Sequence, residues 1–455
     1  MPVDLKNDQP LAWDSATLDA DTKAMLDNLQ ANILRAHVRE HLSVLFVRFN
    51  NAREGRRYLR GLARKVKSAR KHLAEVRDFN LNGRRGTPYV GVGISKAGYR
   101  DLGHSEVEVG KFTDVVFRDG MKRRVAVIND PPADQWENAY QQDIHAVILI
   151  GDARPEPVAR LRRQIIGELP RSARVLGEET GRGMHNATGE GIEHFGYVDG
   201  RSQPLFVKDE VDKEPKEHWN PALPLENILA QDPLAPNPAA HHGSYLVFRK
   251  LEQDVRAFHQ IERDLADELG LVGADRDRAG AMLFGRFRDG TPLTDKPLPA
   301  GGPVSNDFNF DADPGSKCPV SSHIRKSNPR SFGREVLMVR RGQTYGVRID
   351  DPTDDSPPEN RPSSGVGLLF MSFNHSLLDQ FEFTQDKWAN EPEFPAPGTG
   401  HDPVIGQGER DIKVTFPKVW GQPELSPSIP QVAQTITMKG GEYFFMPSLA
   451  YLRSL

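Results

Sequence analysis

Residues 193–204, EHFGYVDGRSQP, hold one carboxylate in a short stretch bracketed by glycines. Gly196 and Gly200 flank Asp199, and glycine lets the backbone turn where other residues are strained. A carboxylate placed in a confined turn can act as a general acid or base. An Asp-Gly pair is also typical of an ordinary turn in which the aspartate accepts a hydrogen bond from its own backbone. Taken alone, the spacing favours the ordinary turn.

A histidine among cations marks the second segment that can carry chemistry. His323 opens the run HIRKSNPR, and residues 336–346 (VLMVRRGQTYG) follow it. Such a histidine suits a metal ligand beside an anionic cofactor, because guanidinium groups pair well with carboxylates. A solvent-facing basic segment explains the same residues equally well.

Other reaction classes leave weaker signals in this chain. The sequence lacks a GxxxxGK[ST] phosphate loop, an HExxH zinc motif and a GxSxG nucleophile motif. Cys318 with His323 would be a nucleophile and base, although catalytic partners in cysteine enzymes are seldom sequence neighbours. A metal site on His185, Glu193 and His194 is a second alternative, but it lacks the cysteine partner or helical i, i+4 pair typical of such sites.

The composition is ordinary for a soluble globular protein and narrows the class of partner. In 455 residues, 37% are hydrophobic and 27% are charged, with a formal net charge of -4. No basic excess indicates a nucleic-acid partner. No run approaches the roughly 18 apolar residues of a membrane helix, so no membrane partner is expected. The start, MPVDLKND, lacks an export signal, and the chain has a single cysteine, so we expect a cytoplasmic protein.

The elements that must position these segments repeat once along the chain. Apolar runs predict strands over residues 41–49, 89–94 and 145–150, with helical spacing between them. After a proline-rich crossing at 207–242 the pattern returns, with strands at 244–250, 367–373 and 442–446. We therefore predict an α+β fold of two halves, residues 1–215 and 216–455. Each half would be an antiparallel sheet with helices on one face.

The ordered set of motifs resembles the dye-decolourising peroxidases, in particular their longer members. That family carries a GxxDG motif, here Gly196 to Gly200, and a proximal histidine in an HxRK-NPR context, here His323 to Arg330. Further similar stretches are an arginine-rich turn (340–346), a GLLF strand (367–370), a DPxIGQ stretch (402–407) and an opening LQANIL (29–34). Arg201, where a small or aliphatic residue is expected, and Ala31, where glycine is usual, depart from the family pattern.

The resemblance implies a fold and a cofactor. Each half would be a ferredoxin-like unit, with the cofactor mainly in the C-terminal half that begins at residue 216. The cofactor would be one iron-protoporphyrin IX (haem b) per chain. His323 would be its iron ligand, and Arg325 would pair with a haem propionate. Asp402 would accept the other N–H of His323, with Asp379 and Asp411 as alternatives, because a carboxylate there makes the imidazole more electron-donating.

The resemblance also implies a distal side and a reaction. Asp199 would act as acid and base on hydrogen peroxide, and Arg340 would stabilise negative charge as the O–O bond breaks. Leu368 and Phe370 would wall the distal pocket. The reductants would be bulky aromatic compounds such as dyes and phenols, and a reference aspartate pKa of about 3.9 predicts an acidic optimum. The alternative is a haem-binding or haem-handling protein with little peroxidase turnover; the oligomeric state stays open.

Overall fold

An antiparallel sheet that closes on itself organises the protein. The computed structural model describes residues 3–302 and 304–455, and in these residues the sheet has ten strands. Eight strands form the ring: β1 (His41–Phe49), β2 (Tyr89–Ile94), β3 (Ala146–Asp152), β4 (Ala173–Arg182), β5 (His242–Gln253), β6 (Gln343–Tyr345), β7 (Gly367–Asn374) and β8 (Ile436–Met446). The short strands Ala230–Gln231 and Val339–Arg340 pair beside β5 and β7.

Each half of the ring has the strand order of a ferredoxin-like unit. In the first half the order is β4-β1-β3-β2, and in the second it is β8-β5-β7-β6. The two orders are the same when the strands of each half are counted from its own first strand. Helices follow the first and third strand of both halves. The predicted α+β fold of two ferredoxin-like halves is therefore confirmed.

The closure of the two sheets into one barrel is a feature that the sequence pattern did not predict. One residue pair joins β4 to β6, Gly181 with Tyr345, and one joins β8 to β2, Phe445 with Ile94. Each junction depends on where two strand edges meet in space, which a local apolar period does not report. Because the sheet runs on from one half to the other, the boundary between residues 1–215 and 216–455 stays a prediction.

Hydrophobic strands and amphipathic helices together form the core. All residues of β2 and β3 are buried, as expected of strands covered on both faces. Helix α8 (Pro155–Gly167) packs against β1 and β3. The helices are α1 (Ala20–Asn28), α2 (Ala52–Leu62), α3 (Ala69–Asn82), α4 (Lys96–Asp101), α5 (Glu106–Val109), α6 (Val115–Asp119), α7 (Asn138–Gln141), α8 (Pro155–Gly167), α9 (Lys208–Val211), α10 (Val255–Glu268), α11 (Asp277–Phe284), α12 (His323–Ser327) and α13 (Leu449–Ser454).

Two further segments complete the fold. The π-helical turns Leu377–Glu382 and Thr384–Ala389 follow β7 and occupy the place of the second crossing helix. The last helix, α13, packs against α1 and α2 of the first half. Within the described residues, no helix is both long and apolar enough to cross a membrane.

Candidate active site

A cavity of about 350 Å³ lies between the second half of the barrel and the loop that follows β4. Its wall includes residues from both sequence segments that carry chemistry, among them Asp199, His323 and Arg340. Segments that are more than a hundred residues apart in the chain therefore meet at one cavity.

The short helix α12 presents His323 to this cavity. Its ring nitrogen Nδ1 lies 2.8 Å from Oδ2 of Asp402. Of the three carboxylates offered for this hydrogen bond, Asp402 makes it, while Asp379 and Asp411 are exposed at the surface. A carboxylate at Nδ1 fixes the proton there and leaves Nε2 available for a metal.

The electrostatics of Asp402 favour its charged form. The side chain is fully buried, and burial by itself would raise the pKa of the carboxyl group. The interaction with His323 and the backbone N–H groups of Val404 and Ile405, at 2.8 and 2.9 Å, outweigh burial and lower the pKa. The histidine thus faces a carboxylate that is itself held by the backbone.

The GxxDG loop brings Asp199 to the cavity wall. Gly196 and Gly200 adopt positive φ values of 91° and 79°, and a Cβ on Gly196 would come within 2.4 Å of the carbonyl oxygen of Pro352. Asp199 is exposed, and its Oδ1 accepts the N–H of Gly200 at 2.6 Å. The structure records no hydrogen bond to Oδ2 among the described residues. The Asp-Gly turn and a cavity-facing carboxylate therefore occur together.

Arg340 is held at the same wall by its backbone and its guanidinium. Its N–H donates to Oε1 of Gln203 at 3.0 Å, and Nη2 donates to the carbonyl oxygen of Arg201 at 2.7 Å. Burial lowers the pKa of Arg340, and the charge of Asp199 opposes that shift. The charge of Asp199 therefore acts on Arg340 at the cavity wall. Arg341 turns the other way, toward the carbonyl oxygens of Asn32 and Ile33.

The alternation of β7 directs two apolar side chains into the cavity. Leu368 and Phe370 both line it, and both are less buried than Leu369, which lies between them on the other face. Successive side chains of a strand point to opposite faces, so this spacing places the pair side by side. Leu368 and Phe370 therefore form an apolar part of the cavity wall.

The structure places Arg325 away from the cavity wall, and its pairing with a haem propionate stays a prediction. Its guanidinium donates to the carbonyl oxygens of Cys318 and Asp313 and lies 3.4 Å from a carboxylate oxygen of Asp313, and the residue does not line the cavity. On a helix as short as α12, Arg325 and His323 are two positions apart and point in different directions. Arg325 stabilises the loop before the helix instead.

Two other arginines form the cationic end of the cavity, and sequence reasoning assigned neither of them a role. Arg286 and Arg330 share the acceptors Ser202 and Asn306, and all their hydrogen-bond acceptors are uncharged. Burial, followed by the charge of Arg286, lowers the pKa of Arg330 to about 8. Burial, followed by the charge of Arg201, lowers that of Arg286 to about 9. Arg330 ends the HIRKSNPR run, which was a signal, whereas nothing around Arg286 marked it.

The residues around the cavity suit a large cofactor with apolar faces and an acidic edge. Buried cations without a carboxylate partner are stabilised when an anion reaches them. The wall also includes apolar side chains such as Phe284, whose ring stands edge-on to that of His323 with the ring centroids 6.0 Å apart. A histidine nitrogen, apolar walls and a cationic end are together what an iron porphyrin with two propionates needs.

Neither of the two alternative sites, the cysteine nucleophile and the three-residue metal site, has the arrangement that its chemistry requires. Cys318 is buried, and burial raises the pKa of its thiol to about 12, so it stays protonated and unreactive. His185 approaches Glu40, His194 contacts the carbonyl oxygen of Tyr345, and Glu193 accepts backbone N–H groups. Over residues 3–302 and 304–455, no group of three His, Cys, Asp or Glu side chains could hold a metal ion.

Fold and cavity together define the class: a duplicated ferredoxin-like barrel with a pocket for a porphyrin. Residues 28–182 match the DyP dimeric alpha+beta barrel domain, and residues 225–393 match the C-terminal family of Dyp-type peroxidases. The multifunctional dye peroxidase DyP2 of Amycolatopsis sp. is 54% identical over 474 residues, which cover 100% of both chains. The chain therefore belongs to the dye-decolourising peroxidase family.

Solved structures agree with this assignment. DyP2 from Amycolatopsis sp. superposes with a TM-score of 0.95 at 52% identity over 100% of both chains. A DyP-type peroxidase from Anabaena sp. superposes with a TM-score of 0.91 at 35% identity, over 99% of this chain and 98% of that one. As a member of this family, the chain is a haem-dependent peroxidase that acts on dyes.

Proposed function

We propose that this peroxidase uses Asp199 and Arg340 on hydrogen peroxide, with His323 as the iron ligand of one haem b per chain. The observation that carries the proposal is that a carboxylate and a guanidinium share one cavity with a carboxylate-bound imidazole. A protein that only carries haem has no need of an acid-base pair there. When bound, the haem supplies the oxidising chemistry and accepts electrons from an aromatic reductant.

On the proximal side, His323 would hold the iron through Nε2. The hydrogen bond of Nδ1 to Asp402 makes the imidazole more electron-donating and fixes its ring orientation. Phe284 stands edge-on to the ring and limits its rotation. Lys326 stabilises the position of the same helix, since its ammonium donates a hydrogen bond of 2.8 Å to the carbonyl oxygen of Glu391.

On the distal side, Asp199 would move one proton. Oδ1 is held by the N–H of Gly200, so Oδ2 is the oxygen that can take the proton from the near oxygen of peroxide and deliver it to the far one. Arg340 would stabilise negative charge on the departing oxygen, because its guanidinium is fixed before the reaction begins. Leu368 and Phe370 would give this side of the pocket an apolar wall.

Arg286 and Arg330 would hold the acidic edge of the cofactor. Both are buried, and their acceptors are neutral, so a propionate would replace an unfavourable repulsion between two guanidinium groups. Arg201 borders the same end of the cavity and forms an ion pair with Glu190. A guanidinium that a carboxylate already pairs thus follows the GxxDG motif, at the end of the cavity where the acidic edge of the haem would lie.

The test is the absorption spectrum of the haem-reconstituted protein before and after one equivalent of peroxide, followed by addition of a phenol or an anthraquinone dye. We expect a Soret band, a rapid peroxide-dependent change, and return to the resting spectrum with oxidation of the dye. A stable Soret band that peroxide does not alter would instead identify a haem-handling protein and overturn the proposal.

A further inference from the structure

Three buried hydrogen-bond donors without an acceptor lie together behind one end of the cavity. They are Nδ2 of Asn32, Nη1 of Arg39 and the hydroxyl of Tyr89. The residues are 1%, 8% and 0% exposed, so bulk solvent does not reach them. Most buried polar groups are paired, because an unpaired one costs about 1–3 kcal/mol. Three in one place indicate an acceptor that binds there.

Contacts among these residues show that they form one cluster. The backbone N–H of His37 donates to Oδ1 of Asn32 at 3.0 Å, and the His37 ring lies 5.4 Å from that of Tyr89. Burial raises the pKa of Tyr89 to about 12, while the nearby charge of Arg39 and the amide of Asn32 oppose that rise. The three donors come from separate segments of the first half and lie in one buried cluster.

The cluster carries positive charge that no ion pair balances within residues 3–302 and 304–455; the charge of Glu210, which pairs with Arg35 at 3.4 Å, acts on Arg341 but makes no ion pair with it. Arg39 donates to the carbonyl oxygens of His37 and Arg341, at 3.3 and 3.1 Å. Arg341 donates only to carbonyl oxygens as well, those of Asn32, Ile33 and Arg340. Neither guanidinium forms an ion pair within residues 3–302 and 304–455. Two buried cations side by side favour the entry of an anion.

Two glycines in the barrel make room for this cluster. A Cβ on Gly151 in β3 would lie 2.7 Å from Cγ of Arg39, and a Cβ on Gly91 in β2 would lie 2.1 Å from the hydroxyl of Tyr89. Tyr89 pairs directly with Gly151 across the two strands. The sheet thus omits two side chains where the guanidinium and the hydroxyl enter.

We propose that Asn32, Arg39 and Tyr89 bind a single halide-sized inorganic anion, with chloride as the ligand under physiological conditions. Nε and Nη2 of Arg39 already donate to carbonyl oxygens, so its guanidinium has no free fork for a carboxylate or phosphate. A spherical anion accepts hydrogen bonds from any direction and suits three donors from three segments. Arg39 and Arg341 also border the cavity, so the anion offsets positive charge at the end near Arg340.

Diffraction from bromide-soaked crystals of the holoenzyme tests the site directly. Bromide replaces chloride and scatters anomalously, so we expect an anomalous peak within hydrogen-bond distance of Nη1 of Arg39 and the hydroxyl of Tyr89. Density at that position without anomalous signal would identify a water molecule and overturn the proposal. A haem propionate at Arg39 would overturn it as well.

Thermal unfolding of the holoenzyme provides an independent test in solution. At constant ionic strength, replacing sodium gluconate by sodium bromide at about ten times the Kd should raise Tm by about 1–3 °C. Tyr89→Phe should lose most of this rise. Tyr99→Phe is the matched control, because the Tyr99 hydroxyl is also buried and unpartnered, but its electrostatic neighbours are tyrosines and an aspartate. Equal responses of the two variants, or no rise in the wild type, would contradict the proposal. If Tyr89→Phe does not fold, the bromide diffraction on the wild type decides alone.

Discussion

Replacing Asp402 by asparagine should move the proton of His323 to the wrong ring nitrogen. In the structure, Oδ1 of Asp402 accepts the N–H groups of Val404 and Ile405, and Oδ2 accepts Nδ1–H of His323. Asparagine keeps one oxygen and turns the other position into an NH₂ group. The buried amide therefore has two orientations, and in each of them one set of hydrogen bonds that the carboxylate accepts is lost.

The energies of the two orientations decide between them. If the NH₂ group faces Val404 and Ile405, two backbone donors lose their acceptor, at a cost of about 2–6 kcal/mol in total. If it faces His323, Nδ1 must accept a hydrogen bond, and the proton moves to Nε2, which can then no longer hold iron. The second orientation is less costly in the haem-free protein. We expect haem affinity to fall about 10–100-fold, which corresponds to about 1.4–2.8 kcal/mol.

Haem titration and histidine NMR together measure this effect. Haem affinity is read from the Soret band and from the rate of haem transfer to an excess scavenger protein, and ¹⁵N shifts of labelled histidine report which ring nitrogen carries the proton. Asp379→Asn is the control, because Asp379 is exposed and does not contact His323. Wild-type haem affinity in Asp402→Asn, with Nδ1 of His323 still protonated, would refute the reasoning.

Three further predictions test the roles of other residues. Asp199→Asn should slow the reaction with peroxide by about 10²–10⁴-fold, because an amide cannot take up the proton that Oδ2 of the carboxylate would accept. Stopped-flow absorbance measures the rate, and an unchanged rate with an unchanged resting spectrum would contradict the assignment. Glu193 is buried, and burial raises its pKa from 4.5 to about 7, so the folded protein keeps a proton that the unfolded chain releases. The free energy of unfolding should therefore decrease as pH rises from about 4.5 through about 7. Glu193→Gln should flatten the dependence of Tm on pH over that window. If the variant has the same slope as the wild type, Glu193 does not cause this pH dependence. Arg330→Gln should weaken haem binding, whereas Arg325→Gln should lower Tm and leave haem affinity unchanged. A haem titration and a thermal unfolding curve of both variants measure these effects. If Arg325→Gln weakens haem binding and Arg330→Gln does not, Arg325 is the propionate partner.

The sequence predicted those parts of the fold that depend on local residue patterns. Residues 41–49 and 89–94 are strands with the predicted bounds, because continuous apolar runs are needed where both faces of a strand are buried. Strand β4 (Ala173–Arg182) was not predicted, since its side chains are mostly half-buried and its sequence, ARVLGEETGR, has no apolar run. Its place in the ring depends on the partner strands β1 and β6.

The candidate site shows the same division between local and distant information. Asp199 and Arg340 stand in motifs whose glycines and paired arginines are visible in the sequence, and the structure places both at the cavity. Their roles stay predictions until the experiments above are done. The direction of Arg325 depends on Asp313, a residue twelve positions away in a loop without regular structure. Arg286 carries no motif, because its function follows from a cavity that many segments build together.

The packing of the C-terminal helix α13 against the first half affects how a nascent chain acquires its structure. Leu449, Tyr451 and Leu452 are buried, and the hydroxyl of Tyr451 lies 2.8 Å from Nε2 of His104. Strand β8 likewise covers the open edge of β2. Apolar surface made early in synthesis therefore stays uncovered until residues 436–454 emerge, so proteases and chaperones meet an unfinished first half for most of translation.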